Sequence, residues 1–182
     1  LSFWENRDLF IKILISSLPV MLVGFVLVQT DLIDDLRSIK IIGWTTIIFG
    51  VLLYISDRLK LDKEINNNFN LKSALIIGLF QVLSLVPGVS RSGITITAAR
   101  LLNYKRLDAA KISFLLSIPT LASVSFFGIF NLTSSENLSF SVLNLISIIL
   151  SFLFSYLTIK YFIRYIKRFS LAVFVIYRII LG

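Results

Sequence analysis

Runs of uncharged, mostly apolar residues alternate with short charged segments along this chain. Eighteen such residues separate Lys12 from Asp31, 16 separate Lys40 from Asp57, and 18 separate Lys72 from Arg91. Two longer runs follow, 24 residues between Lys111 and Glu136 and 23 between Glu136 and Lys160. A helix needs about 20 mostly apolar residues to cross the hydrocarbon core of a bilayer. A large soluble helical core would instead require a polar face inside each run, and the longest runs have none. The pattern predicts an all-α polytopic membrane protein. Its spans are expected over residues 9–28, 41–56, 112–131 and 140–159, with a partial one over 171–182. Pro19 falls inside the first span, where neighbouring helices can tolerate a kink.

Residues 71–102 do not fit this scheme. Thirty-two residues are too few for two crossings of about 20 each plus a turn, and the centre is too polar for one straight crossing. A re-entrant helix hairpin fits, descending to Pro87-Gly88 and rising again from near Gly93. Irregular backbone at membrane depth survives only where it is buried in protein or lines a water-filled cavity. The hairpin loop is therefore expected inside the helical bundle.

Composition supports the membrane class. Hydrophobic residues make up 57% of the chain, against about 45–50% for soluble domains, and the mean hydropathy is +0.90. The net charge of +8 sits in the segments between apolar runs rather than on one solvated stripe, which argues against nucleic acid as a partner. Residues 160–168 carry Lys160, Arg164, Lys167 and Arg168 and no acid, so they are expected in the cytoplasm. Counting back places 132–139 outside, both hairpin ends (near Lys72 and Lys105-Arg106) inside, 31–40 outside, and Arg7 and Lys12 inside. The chain has no Cys and no His. Disulfides, thiolate metal sites and any Ser–His arrangement are thereby excluded for these residues. Opening at Leu1 with an aromatic Phe3-Trp4, and closing on a short run interrupted by Arg178, it reads as incomplete at both ends.

The candidate chemistry lies in Pro87-Gly88-Val89-Ser90-Arg91-Ser92-Gly93. An arginine at the centre of an apolar hairpin costs ~2.5–3.5 kcal/mol even on the mildest insertion scale, and such residues usually serve a partner, an ion or a substrate. Gly88 and Gly93 permit close backbone approach to a ligand. The N–H groups opening the second helix favour an anion, and an arginine fork matches phosphate oxygens. Ser90, Ser92 and, one turn on, Thr95 and Thr97 add neutral donors. The parts suit a phosphate or diphosphate cradle. A structural arginine paired with backbone carbonyls, an ordinary Pro-Gly turn and a Ser90 N-cap are the other readings. The loop is neither a Walker loop nor a G-x-S-x-G elbow, since Gly-Lys-Ser/Thr is missing and Ser92 stands where the second Gly belongs.

This loop with the following Ile94-Thr95-Ile96 closely resembles the P-G-x-S-R-S-G-x-T signature of undecaprenyl-diphosphate phosphatases of the bacitracin-resistance type. Gly78-Leu79-Phe80-Gln81, the segment from Ser113 to Pro119, Ile176-Tyr177-Arg178 and Phe3-Trp4 also look like landmarks of that family. The resemblance implies an inverted-repeat bundle with two re-entrant hairpins in the bacterial inner (plasma) membrane, its active site open to the periplasmic or outer side. It implies removal of one phosphate from a polyprenyl diphosphate lipid, recycling the carrier of cell-wall synthesis, with a divalent cation (Mg or Ca). Arg91 and Ser90 would be catalytic, and Gly88, Ser90, Arg91, Ser92, Gly93 and Thr95 would bind the diphosphate. Gln81 would be a second-layer donor or simply a helix-packing residue. Tyr177-Arg178 reads first as an interfacial anchor. The family's acidic E-x-x-x-E-F-L-P-x-S-S-T-G-H motif has no match here, so no metal ligand is assigned and the segment by itself is expected to be inactive. A transporter or flippase using the same broken-helix site is the alternative. A purely structural subunit would leave Arg91 unexplained. Oligomeric state is open.

Overall fold

The computed structural model describes residues 7–30, 37–59, 62–133 and 142–182. Phe3-Trp4, the acids at 31, 34 and 35, and residues 134–139 of the expected outer turn lie outside them. The described residues form α1 (Arg7–Gln29), α2 (Ile39–Arg58), the one-turn α3 (Ile65–Asn68), α4 (Leu71–Val82), a 3-10 turn (Leu83–Leu85), α5 (Arg91–Leu101), α6 (Arg106–Thr133), α7 (Val142–Ile166) and α8 (Ala172–Leu181). Four of these, α1, α2, α6 and α7, are long and apolar enough to cross a membrane. The chain is an all-helical polytopic membrane protein.

Burial is arranged as a bilayer demands. Side chains of α7 such as Leu143, Ile148 and Phe152 are exposed, and nothing in its most apolar stretch is buried. In water such a surface would collapse or aggregate; in lipid it is solvated. The interior is small and well packed. α4 lies against α1 and α5, while α5 also meets α2 and α6. Ile13, Ile77, Ala98, Ile112 and Leu116 join in one core. At Gly78 a Cβ would sit 1.9 Å from the Ser16 carbonyl oxygen. That contact sets how closely α1 and α4 approach, a device typical of membrane helices.

Residues 71–101 fold back on themselves. Asn70 caps α4 by accepting from the Ser73 N–H at 2.8 Å, and α4 tightens into the 3-10 turn before the chain reverses. The two ends of this hairpin meet. Lys63 N–H donates to the Asn103 carbonyl (3.0 Å) and Lys105 N–H to the Lys63 carbonyl (2.9 Å). A buried ion cluster ties the same end of the bundle together. Arg106 grips Asp57 with two nitrogens (2.6 and 3.0 Å), and the Leu171 N–H donates to the same carboxylate at 2.9 Å. Arg100 donates to the carbonyls of Asp57, Leu59 and Tyr104. α2, α5, α6 and the start of α8 are thereby fixed to one another.

Two boundaries differ from the sequence expectation. From Val142 onward the expected 140–159 span belongs to a helix that continues to Ile166, because Lys160 and Arg164 extend from its end without interrupting its backbone hydrogen bonds. The polar connection after Asp57 also contains a helical turn, α3, whose Ile65 is buried in the core.

Candidate functional site at the hairpin turn

Gly88 takes a positive φ of 88°, a conformation that other residues adopt only under strain. It is also pressed against α2, where a Cβ would lie 2.2 Å from Thr45 Oγ1 and 2.6 Å from the Ile42 carbonyl oxygen. The Thr45 hydroxyl lies 2.7 Å from the Pro87 carbonyl oxygen, and the Thr46 hydroxyl 3.3 Å from that of Gly88. The turn is thus held by its carbonyl side, which leaves its N–H side to open α5.

Ser90 is the N-cap of α5. Its hydroxyl accepts from the Gly93 N–H at 3.2 Å and lies 3.3 Å from the Ser92 hydroxyl. The first N–H groups of any helix have no intrahelical acceptor, so those of Arg91 and Ser92 remain for a ligand. Arg91 is the first residue of the helix and is partly buried. No described residue forms a hydrogen bond or ion pair with its guanidinium. The carbonyl-paired reading of Arg91 therefore finds no partner among the described residues.

That role falls to another arginine. Arg178 of α8 is only 9% exposed, and its Nη2 donates to the Gly88 carbonyl at 2.9 Å. Its Nε lies 3.3 Å from the Thr46 carbonyl oxygen. The expectation of an interfacial anchor is corrected for Arg178: α8 packs along α2, which turns this side chain inward beneath the loop. Only Tyr177 stays exposed, at 63%. A single charge inside an otherwise apolar helix was the available signal, the same one that singled out Arg91.

A cavity of about 430 Å³ opens beside the turn, with Gly88, Ser90, Ser92, Gly93 and Arg178 on its polar side. Leu53, Ile96, Phe162, Phe174 and Leu181 form much of the apolar side. Arg91 and Thr95 do not line it. The Thr95 hydroxyl lies 2.9 Å from the Arg91 carbonyl oxygen and 2.7 Å from the Ser113 hydroxyl, a contact between α5 and α6. Gln81 is fully buried, and its amide donates to the Thr120 hydroxyl at 3.0 Å. Thr120 spends its own proton on the Leu116 carbonyl. This fixes the direction of the amide and leaves Gln81 Oε1 without a partner among the described residues.

The donor set of the turn, hydroxyls, N–H groups and guanidinium, fits an anion and not a cation. Among the described residues no group of three or more His, Cys, Asp or Glu comes together.

The family model for the bacitracin resistance protein BacA matches residues 3–182. The chain belongs to the BacA family. An undecaprenyl-diphosphatase of Pelagibacter ubique is 51% identical over 98% of this chain and 70% of its own length. One of Jannaschia sp. is 39% identical over 93% of this chain and 64% of its own. One of Teredinibacter turnerae is 43% identical over 92% and 63%. The chain thus spans about two thirds of the length of these relatives.

Proposed function

We propose that the protein containing this chain is an undecaprenyl-diphosphatase, hydrolysing undecaprenyl diphosphate to undecaprenyl phosphate and phosphate at the 87–93 turn. The observation that carries the reading is the state of that turn. Its carbonyls are tied away on α2 and α8, while the N–H groups of Arg91 and Ser92 and the Arg91 guanidinium have no partner among the described residues. Donors already in place and unpaired need no reorganisation when a negative group arrives.

In this reading the N–H groups of Arg91 and Ser92 and the hydroxyls of Ser90 and Ser92 bind the diphosphate oxygens. Arg91 stabilises the charge that develops on the transferred phosphoryl group. Gly88 and Gly93 let the phosphate approach the backbone, and Thr95 and Gln81 act at one remove, by packing α5 and α4 against α6. A divalent cation, Mg or Ca, is the expected co-ligand of the diphosphate. No protein ligand is assigned to it.

The hairpin is re-entrant in the membrane, and the end gathering Lys63, Lys72, Lys105, Arg106 and Lys167 faces the cytoplasm, as the excess of basic residues requires. The turn then lies at depth and is reached from the periplasmic or outer side of a bacterial plasma membrane. The transporter reading draws on the same broken helix, but the relatives' names favour hydrolysis. The deciding experiment is phosphate release from a polyprenyl diphosphate by the full-length protein in detergent. Saturable release, abolished by changes in the turn, supports the reading; binding without release would leave only a carrier.

A further inference from the structure

We propose that Arg178 is a second anion-binding arginine of this site, presenting its unspent N–H groups to a phosphate oxygen held in the cavity beside Ser90, Ser92 and Gly93. The proposal rests on the phosphatase reading for its ligand but on separate geometry for its place.

Arg178 is the sole charge of α8 and is nine-tenths buried, yet no carboxylate among the described residues pairs with it. Uncompensated cations are costly inside a bundle and usually mark a substrate or ion path. Of the five N–H donors of a guanidinium, one makes a good bond, to the Gly88 carbonyl (2.9 Å), and one a long bond, to the Thr46 carbonyl (3.3 Å). Nη1 donates to no described residue. It lies 3.2 Å from where a Cβ on Gly93 would stand, and that point is also 3.2 Å from Ser90 Oγ. That point is a covalent bond's length from Gly93 Cα, so a ligand oxygen cannot occupy it, but without a side chain there nothing of residue 93 screens Nη1 and the Ser90 hydroxyl from the space beyond, at the positive end of α5. That space opens on the cavity that Arg178, Ser90 and Ser92 line together. An oxygen there would meet charge, hydroxyl and helix dipole at once. A purely structural tie between two carbonyls would use Nε and Nη2 and would not need the opening beside Ser90 and Ser92.

The test uses full-length protein in detergent and inorganic pyrophosphate as the probe, with thermal stabilisation as the binding readout and lipid hydrolysis measured in parallel. Arg178→Gln removes the charge and, its amide reaching only about as far as the Arg178 Nε, keeps a donor for the Thr46 carbonyl but not for that of Gly88. It is expected to fold and to bind pyrophosphate about ten- to a hundredfold more weakly, the worth of a charge-assisted hydrogen bond. Arg178→Lys, which retains the charge, is expected to recover part of that loss. Should Arg178→Gln fail to fold, Arg178→Lys decides the matter, because one ammonium nitrogen then stands in for the separate guanidinium nitrogens that serve the Gly88 carbonyl and the phosphate oxygen; pyrophosphate binding is expected to fall severalfold. Pyrophosphate binding unchanged in folded Arg178→Gln, or in Arg178→Lys if the former does not fold, overturns the proposal. Pyrophosphate binding that depends on Arg178 in a protein unable to hydrolyse the lipid would retain this site and overturn the phosphatase reading instead.

Discussion

The hydroxyl of Thr45 lies 2.7 Å from the carbonyl oxygen of Pro87, so a side chain in the second turn of α2 holds the turn of the hairpin. The same hydroxyl is 2.8 Å from the Ile41 carbonyl oxygen and shares its one proton between them. Thr45→Val keeps the shape and removes the proton, leaving the Pro87 carbonyl without its donor. The expected cost is about 1–3 kcal/mol, read as a lower melting temperature in detergent. Thr46→Val should cost less, since its contact with Gly88 is 3.3 Å. An equal or reversed order would show that α2 does not hold the turn through Thr45.

Gly88→Ala is expected to be far more damaging than its size suggests. The positive φ costs an alanine about 1–2 kcal/mol. The added methyl would also strike the Ile42 carbonyl oxygen at 2.6 Å, and backbone cannot rotate away. Folded yield and turnover should both collapse. Gly128→Ala, where nothing lies within 4 Å, is the matched control and should behave as the unaltered protein. Comparable yields for the two would place Gly88 in a different conformation from the one described.

Asp57 carries the ion cluster at the basic end of the bundle. Asp57→Asn leaves the buried Arg100 and the half-buried Arg106 beside a neutral group and weakens the acceptor of the Leu171 N–H. Breaking a buried pair on one side typically costs ~3–5 kcal/mol, enough to unfold many proteins. The exposed Lys105–Glu64 pair offers the contrast, and Glu64→Gln should shift the melting temperature little. A stable Asp57→Asn protein would reduce the cluster to a surface feature.

The hairpin has a topological consequence. Because Lys63 and Lys105 are joined through backbone hydrogen bonds around Asn103 and Tyr104, single cysteines at the two positions must lie on the same side. Both should react with an impermeant thiol reagent from the cytoplasmic face only. Labelling from opposite faces would require residues 71–102 to cross the membrane.

The sequence made the helices legible wherever apolar runs approached the length of a crossing, and it located the hairpin by the shortness of residues 71–102. It also singled out Ser90, Arg91 and Gly88, because charge and glycine inside an apolar run are rare and costly. It did not reveal that Arg178 turns inward, since an arginine near the end of a short helix satisfies the snorkelling rule equally well. Only the packing of α8 along α2 decides between the two. Thr45 and Thr46 were hidden for a related reason: threonines inside a span commonly bond their own helix, as Thr45 also does with Ile41. Asp57 was read as the end of a run, and its three partners lie 43 to 114 residues away in sequence. Pairings at that range leave no local trace.

The central claim is that Arg91 meets the lipid diphosphate. In the full-length protein, Arg91→Ala and Arg91→Lys should both fold, because no described residue depends on the guanidinium for a hydrogen bond. Both should lose turnover by ~10²–10³, since lysine keeps the charge but lacks the fork that spans two oxygens. The measurement is phosphate release from a polyprenyl diphosphate in detergent, normalised to monodisperse protein. Near-normal turnover in folded Arg91→Ala would contradict the account and return the 87–93 turn to a packing role.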